Sequence, residues 1–204
     1  SSNNMSLDYI CPICSLALTL NDRTLKCSKN HSFDFAKEGY VNLLPVQNKK
    51  SKDPGDNLEM VQARRNFLAK GHYAFLQSAI AQKVKDLGTQ KTIIDFGCGE
   101  GFYTQALQKS ALNCKVYGID ISKPAVKYAA KRYPECHFSV ASIAQAPFND
   151  LQADAIVSIF APLFDDELSR LCKDKLIVAS PGPKHLFELK QQIYQDVNLH
   201  TPVP

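Results

Sequence analysis

From Lys91 onward, short apolar runs alternate with segments whose apolar residues recur every three or four positions. The runs 91–96, 114–119, 136–141, 153–160 and 175–180 have the length of buried strands, and 101–110, 122–132, 165–172 and 185–197 read as helices. Such alternation predicts an α/β fold, a Rossmann-like doubly wound sheet that is mostly parallel. Ahead of it, Leu76, Ile80, Val84 and Leu87 share one face of an amphipathic helix. Asp56 or Asn57 can cap another helix running to about Lys70, where Gly71 stops it. Residues 36–56 pass from a short apolar run into a basic loop with a turn at Pro54-Gly55. Residues 7–35 have little apolar content of their own.

The first run of the sheet ends as Ile93-Ile-Asp-Phe-Gly-Cys-Gly-Glu-Gly101. An acid, Asp95, precedes a turn through Gly97, Gly99 and Gly101, where missing Cβ atoms let a ligand approach the backbone. The next run, Val116 to Ile119, ends at Asp120, where a carboxylate can accept both hydroxyls of a ribose. An adenosine-containing cofactor follows. The nicotinamide fingerprint is G-x-G-x-x-G, but the spacing here is G-x-G-x-G with Glu100 inside it, and that carboxylate would repel a pyrophosphate. It suits an amino group and a sulfonium. The pattern resembles motif I of class I S-adenosylmethionine (SAM)-dependent methyltransferases. A strand–helix turn needing glycine only for packing would leave Asp120 unexplained.

Cys11-Pro-Ile-Cys14 and Cys27-Ser-Lys-Asn-His31 read C-x2-C-x12-C-x3-H. Two closely spaced donor pairs suit tetrahedral zinc, and four protein ligands leave no open position, so the site is expected to be structural. Some 30 residues cannot bury enough surface to fold alone, and metal binding would supply the missing free energy. Scattered buried thiols would need both spacings to arise by chance. Phe33-Asp-Phe35 reads as a strand, so a ribbon is expected and not a DNA-reading finger. Lys26, Lys29 and Lys37 suit phosphates or plain solvation equally. The expected division is an N-terminal remnant (1–6), a zinc ribbon (7–35), a linker with two helices (36–90) and a SAM-binding domain (91–204).

Composition narrows the class. Of 204 residues, 45% are apolar and 22% charged, which describes a globular protein with a real core. No apolar run has the length of a bilayer span, no leader suggests export, and seven cysteines without one argue for a reducing compartment. The net charge of +4 is uneven: residues 1–90 hold 12 basic against 8 acidic side chains, and residues 91–204 hold 12 against 12. A basic module beside a neutral domain fits a polyanionic substrate.

The fourth run ends Ser158-Ile-Phe-Ala-Pro162, without the Asn/Asp-Pro-Pro-Tyr that commonly serves exocyclic amines, which favours a ring nitrogen as acceptor. No Pro-Cys or Thr-Cys stands at a strand end, which disfavours covalent catalysis. Phe160 is either a stacking platform for an extruded base or a core residue. Tyr73, beside His72, can cover a sulfonium. His185 follows Pro181-Gly-Pro183 at the same edge, as a base or as a capping residue.

Phe35-Ala-Lys-Glu-Gly-Tyr-Val-Asn-Leu-Leu-Pro45, Asp53-Pro-Gly-Asp56, Met60-x2-Ala-Arg64, Phe67-Leu and Gly71-His-Tyr73 join the metal quartet, the glycine motif and Pro181-Gly-Pro183 in one pattern. The whole resembles the RlmA-type 23S rRNA (guanine-N1)-methyltransferases. The resemblance implies SAM as methyl donor and structural zinc in a ribbon that helps recognise an rRNA hairpin. It also implies a cytoplasmic homodimer, with SAM contacts at Tyr73, Gly99, Glu100 and His185. The Asp-Pro-Gly-Asp linker looks closer to the Gram-negative branch than to the macrolide-resistance branch. Two departures stand out: Arg170 to Lys175 replaces the usual Lys-Pro-Gly-Gly turn, and the chain stops at Pro204, ahead of strands the family would have. A small-molecule methyltransferase and a non-catalytic RNA-binding module are the alternatives.

Overall fold

The computed structural model describes residues 8–45, 73–181 and 187–193. The ribbon is a three-stranded antiparallel sheet of β1 (Thr19–Asn21), β2 (Thr24–Lys26) and β3 (Ser32–Asp34). Next come β4 (Val41–Asn42) and α1 (Tyr73–Val84). The predicted alternation then appears as β5 (Thr92–Phe96), α2 (Phe102–Ser110), β6 (Lys115–Asp120), α3 (Lys123–Arg132), β7 (His137–Val140), β8 (Ala153–Ile159), α4 (Asp165–Leu171) and β9 (Cys172–Pro181). The helix expected before α1 lies outside the described residues.

Among the described residues the large sheet has the order β10-β9-β8-β5-β6-β7-β4, where β10 is Phe187–Ile193. All neighbours are parallel except β9 and β10. Strand order reverses between β5 and β8, which opens a crevice at their carboxyl ends. One expectation fails here: 187–193, read as part of a helix over 185–197, is an antiparallel strand on β9. Leu186, Leu189 and Ile193 satisfy a helical period, but Phe187, Leu189 and Ile193 satisfy a period of two equally well. The edge of β9 offers unpaired backbone groups, and pairing takes precedence. The missing Lys-Pro-Gly-Gly turn has a plain counterpart, since α4 runs directly into β9.

The central strands are apolar throughout because both faces are covered. Ile93, Val116, Val157 and Ile177 pack against Leu76, Ile80 and Val84 of α1 and against Tyr103 and Leu107 of α2. Ile94, Tyr117, Ile119 and Ile156 face the other way, toward Leu168 and Leu171 of α4 and toward ribbon residues Tyr9, Leu18 and Leu25. The connection from β7 to β8 contains no helix. The ribbon lies on that face instead, and Val41–Asn42 adds a parallel strand to β7.

Three rings fill the seam. Tyr9, Tyr117 and Phe148 stand 5.2–5.4 Å apart in tilted and edge-on pairs, each pair worth about 0.5–1.5 kcal/mol beyond its buried area. Asp8 accepts from Lys115 Nζ at 2.8 Å and from the Tyr117 hydroxyl at 3.1 Å. The Ile10 N–H donates to the Pro147 carbonyl at 2.9 Å. Arg170 holds the loop carrying Pro147, donating to the carbonyls of Ala146 and Phe148 and to the carboxylates of Glu167 and Asp150. A cleft of about 500 Å³ lies at this seam. The Arg170 donors that line it are already taken by the protein, so they serve the wall.

Candidate functional site

The glycine turn is set by backbone shape. Gly97, Gly99 and Gly101 have φ of 75°, 55° and 90°, in the left-handed region that side chains disfavour. A Cβ on Gly97 would lie 2.9 Å from Cβ of Ala161, and one on Gly101 would lie 3.0 Å from the Tyr133 ring. The loop is nailed to the neighbouring strand: the N–H groups of Gly97 and Cys98 both donate to the Ile119 carbonyl at 2.9 Å. No side chain caps the start of α2 at Gly101.

Asp120 stands at the end of β6, beside the loop. Its Oδ2 accepts the Gly99 N–H at 2.9 Å and its Oδ1 accepts the Ser122 N–H at 2.8 Å. Each carboxylate oxygen has a further lone pair for a ligand hydroxyl. Asp95 is one step back: it is 1% exposed, and its Oδ2 accepts from Thr104 Oγ1 at 2.8 Å. A buried carboxylate needs such a donor, and this one ties the strand end to α2 beneath the loop. Glu100 is exposed at the tip. Ser142, at the end of β7, accepts the Ala144 N–H at 3.1 Å. Gly97, Gly99, Glu100, Gly101 and Asp120 thus meet at one edge. Tyr73 opens α1, and His72 and His185 lie outside the described residues.

Phe160 is not a platform at the surface. It is 4% exposed, packs in the cluster of α1 and α2, and has a left-handed φ of 52°. Its N–H donates to the Ala179 carbonyl at 2.8 Å, and the bend brings Ala161 against Gly97. The exposed apolar groups at that edge are Leu163 and Phe164. Thr104 and Ser122 were not legible as members of the site; a hydroxyl nine residues after an acid gives no recognisable signal.

The metal quartet converges. Donor atoms of Cys11, Cys14, Cys27 and His31 all lie within 4.8 Å of one another. His31 Nδ1 is 3.5 Å from Cys11 Sγ and 3.3 Å from Cys27 Sγ, and Cys14 Sγ is 3.7 Å from Cys27 Sγ. Zinc bonded at about 2.3 Å to sulfur and 2.0–2.1 Å to nitrogen sets tetrahedral edges of about 3.8 Å between sulfurs and about 3.6 Å between sulfur and nitrogen. The site fits zinc. Ser15 and Asn30 take left-handed backbone to turn the two knuckles, and the Ile13 N–H points at Cys11 Sγ at 3.4 Å. Cys11 and Cys27 also belong to the core shared with the large sheet.

A zinc-ribbon profile described as "RlmA, N-terminal" matches residues 9–52, and a methyltransferase-domain profile matches 93–182. The chain is 34% identical over 185 residues to a 23S rRNA (guanine(748)-N(1))-methyltransferase of Streptomyces fradiae, covering 88% of this chain and 65% of that protein. It is also 34% identical over 202 residues to the Bacillus subtilis (strain 168) protein named "Putative 23S rRNA (guanine-N(1)-)-methyltransferase YxjB", covering 92% and 69%. The chain belongs to the RlmA-type 23S rRNA (guanine-N1)-methyltransferase family. It spans about two thirds of the length of these family members. Among solved structures, magnesium protoporphyrin IX methyltransferase from Synechocystis PCC 6803 superposes with a TM-score of 0.46 at 24% identity, over 55% of this chain and 57% of that one. Among the described residues, no helix is long and apolar enough to cross a membrane.

Proposed function

We propose that this protein transfers a methyl group from SAM to N1 of a guanine in 23S rRNA. The observation that carries the reading is Asp120 bonded to Gly99 at the open end of the sheet, in a chain that also holds a complete Cys3His quartet. In this reading Asp120 takes the ribose hydroxyls, and the turn from Gly97 to Gly101 lies against the amino-acid end of the donor. Glu100, Tyr73 and His185 complete the contacts, and Asp95 steadies the turn through Thr104. SAM supplies an electrophilic methyl on a sulfonium. What remains for the protein is alignment of donor and ring nitrogen and exclusion of water.

Residues 7–35 serve as a zinc-held RNA-recognition module, 36–90 as linker and helices, and 91–204 as the donor domain. The reading assigns the work to the cytoplasm and to a homodimer gripping an rRNA hairpin. The test is methylation of 23S rRNA from cells lacking the protein, followed by nuclease digestion and mass spectrometry. One 1-methylguanosine per 23S molecule is expected. Methylation of small metabolites with none on rRNA would contradict it.

A further inference from the structure

The donor domain is neutral in sum yet carries a basic face. α3 presents Lys123, Lys127 and Lys131 to solvent, with Arg132 exposed while its Nε donates to the Tyr133 hydroxyl at 3.2 Å, and has no acid of its own. The first three recur every four residues, about 6 Å apart along the axis, comparable with the spacing of neighbouring phosphates on one RNA strand. Exposed acids Asp165 and Asp166, in the first turn of α4, stand against the other face of the sheet.

The helix dipole accounts for Lys131 and Arg132 in the last turn, but it penalises a cation at Lys123 in the first. The strip is anchored at both ends. Ser122, which caps α3, donates its backbone N–H to Asp120, so the helix begins at the donor pocket. Lys127 reaches Glu38 at 3.7 Å, beside exposed Lys37, and Arg23 of the ribbon donates to the Ala36 carbonyl at 2.7 Å. Glu38 is largely covered; the acids that flank the helix in sequence are Asp120 and Glu135, and Asp22 and Asp34 are exposed on the ribbon. Among the described residues Tyr128, 44% exposed, is the one exposed large apolar group of this helix, which suits stacking and does not suit insertion into lipid.

We infer that the outer face of α3, continued by Lys37 and Arg23 across the ribbon seam, is a phosphate-binding track that leads an RNA strand to the donor pocket. This rests on the rRNA reading above and extends it from Lys37 to a helix face that no motif marked.

The test compares zinc-loaded wild type with the variant Lys123→Gln/Lys131→Gln/Arg132→Gln, which leaves the Lys127–Glu38 pair in place. Binding of unmodified 23S rRNA transcript is measured as a function of salt. Loss of three phosphate contacts should lower the log–log salt slope by about 2 to 3, with SAM affinity within two-fold of wild type. Tyr128→Ala should weaken RNA binding about tenfold with the slope unchanged. An unaltered slope in the triple variant, with wild type binding RNA, would overturn the track and leave the rRNA reading standing. Wild type without affinity for the transcript would remove both. Weakened binding of polyglutamate with an unaltered RNA slope would reassign the face to an acidic protein segment.

Discussion

Asp120 accepts the Gly99 N–H at 2.9 Å, so the acid expected to hold the ribose also fixes the loop that would hold the rest of the donor. Asp120→Ala removes both effects. We expect SAM affinity to fall about 10- to 100-fold, the worth of one bond to a charged group. The melting temperature should change little, because Gly99 and Ser122 are within reach of water. Calorimetric titration checks this, and unchanged affinity would remove Asp120 from the pocket.

Zinc loss should reach beyond the ribbon. Cys14→Ser should unfold the ribbon and impair RNA recognition, and its effect should extend to the donor domain, since Cys11, Cys27 and Tyr9 share a core with Ile94, Tyr117 and Ile156. A structural zinc contributes on the order of 10 kcal/mol, comparable with the whole stability of a domain. Chelation or Cys14→Ser should therefore lower the melting transition of the whole chain and weaken SAM binding with it. A sheet that melts as before, with SAM affinity intact, would show the ribbon to be independent.

Gly97→Ala tests the backbone argument. The new methyl would meet Ala161 at 2.9 Å at a φ of 75°, and left-handed strain alone costs about 1–2 kcal/mol. Thermal unfolding should show a loss of at least that size. Stability equal to wild type would mean that Phe160–Ala161 can retreat freely.

Acid should expose the seam. Burial pushes His137 down to about 4, with Lys115 adding to the effect and Asp8 opposing it; its ring lies 5.1 Å from that of Tyr117. The fold prefers the neutral ring, so this contribution is complete above about pH 6.5 and is lost as pH falls toward 4. His137→Phe should flatten the decline of stability across that window by on the order of 2–3 kcal/mol. Identical pH profiles for the two proteins would dismiss the group.

The parts of this protein legible in its sequence are those written in local pattern. Thr92–Phe96 and Lys115–Asp120 announce themselves by continuous apolar runs, and the metal quartet by spacing. What could not be read depends on contacts distant in sequence. Nothing in Tyr9 or Phe148 indicates that they meet over Tyr117, or that the ribbon stands where a crossover helix would lie. The strand 187–193 depends on the free edge of β9. The charges of residues 91–204 sum to zero and conceal α3, because a sum discards where the charges stand.

The nature of the ligand beside β5 and β6 decides the chemistry of this protein. Titrating the zinc-loaded protein with SAM and, separately, with NADH addresses it directly. Saturable binding of SAM at one site per chain, weakened by Asp120→Ala and absent for NADH, is the predicted result. Binding of NADH in that pocket, with none of SAM, would contradict it.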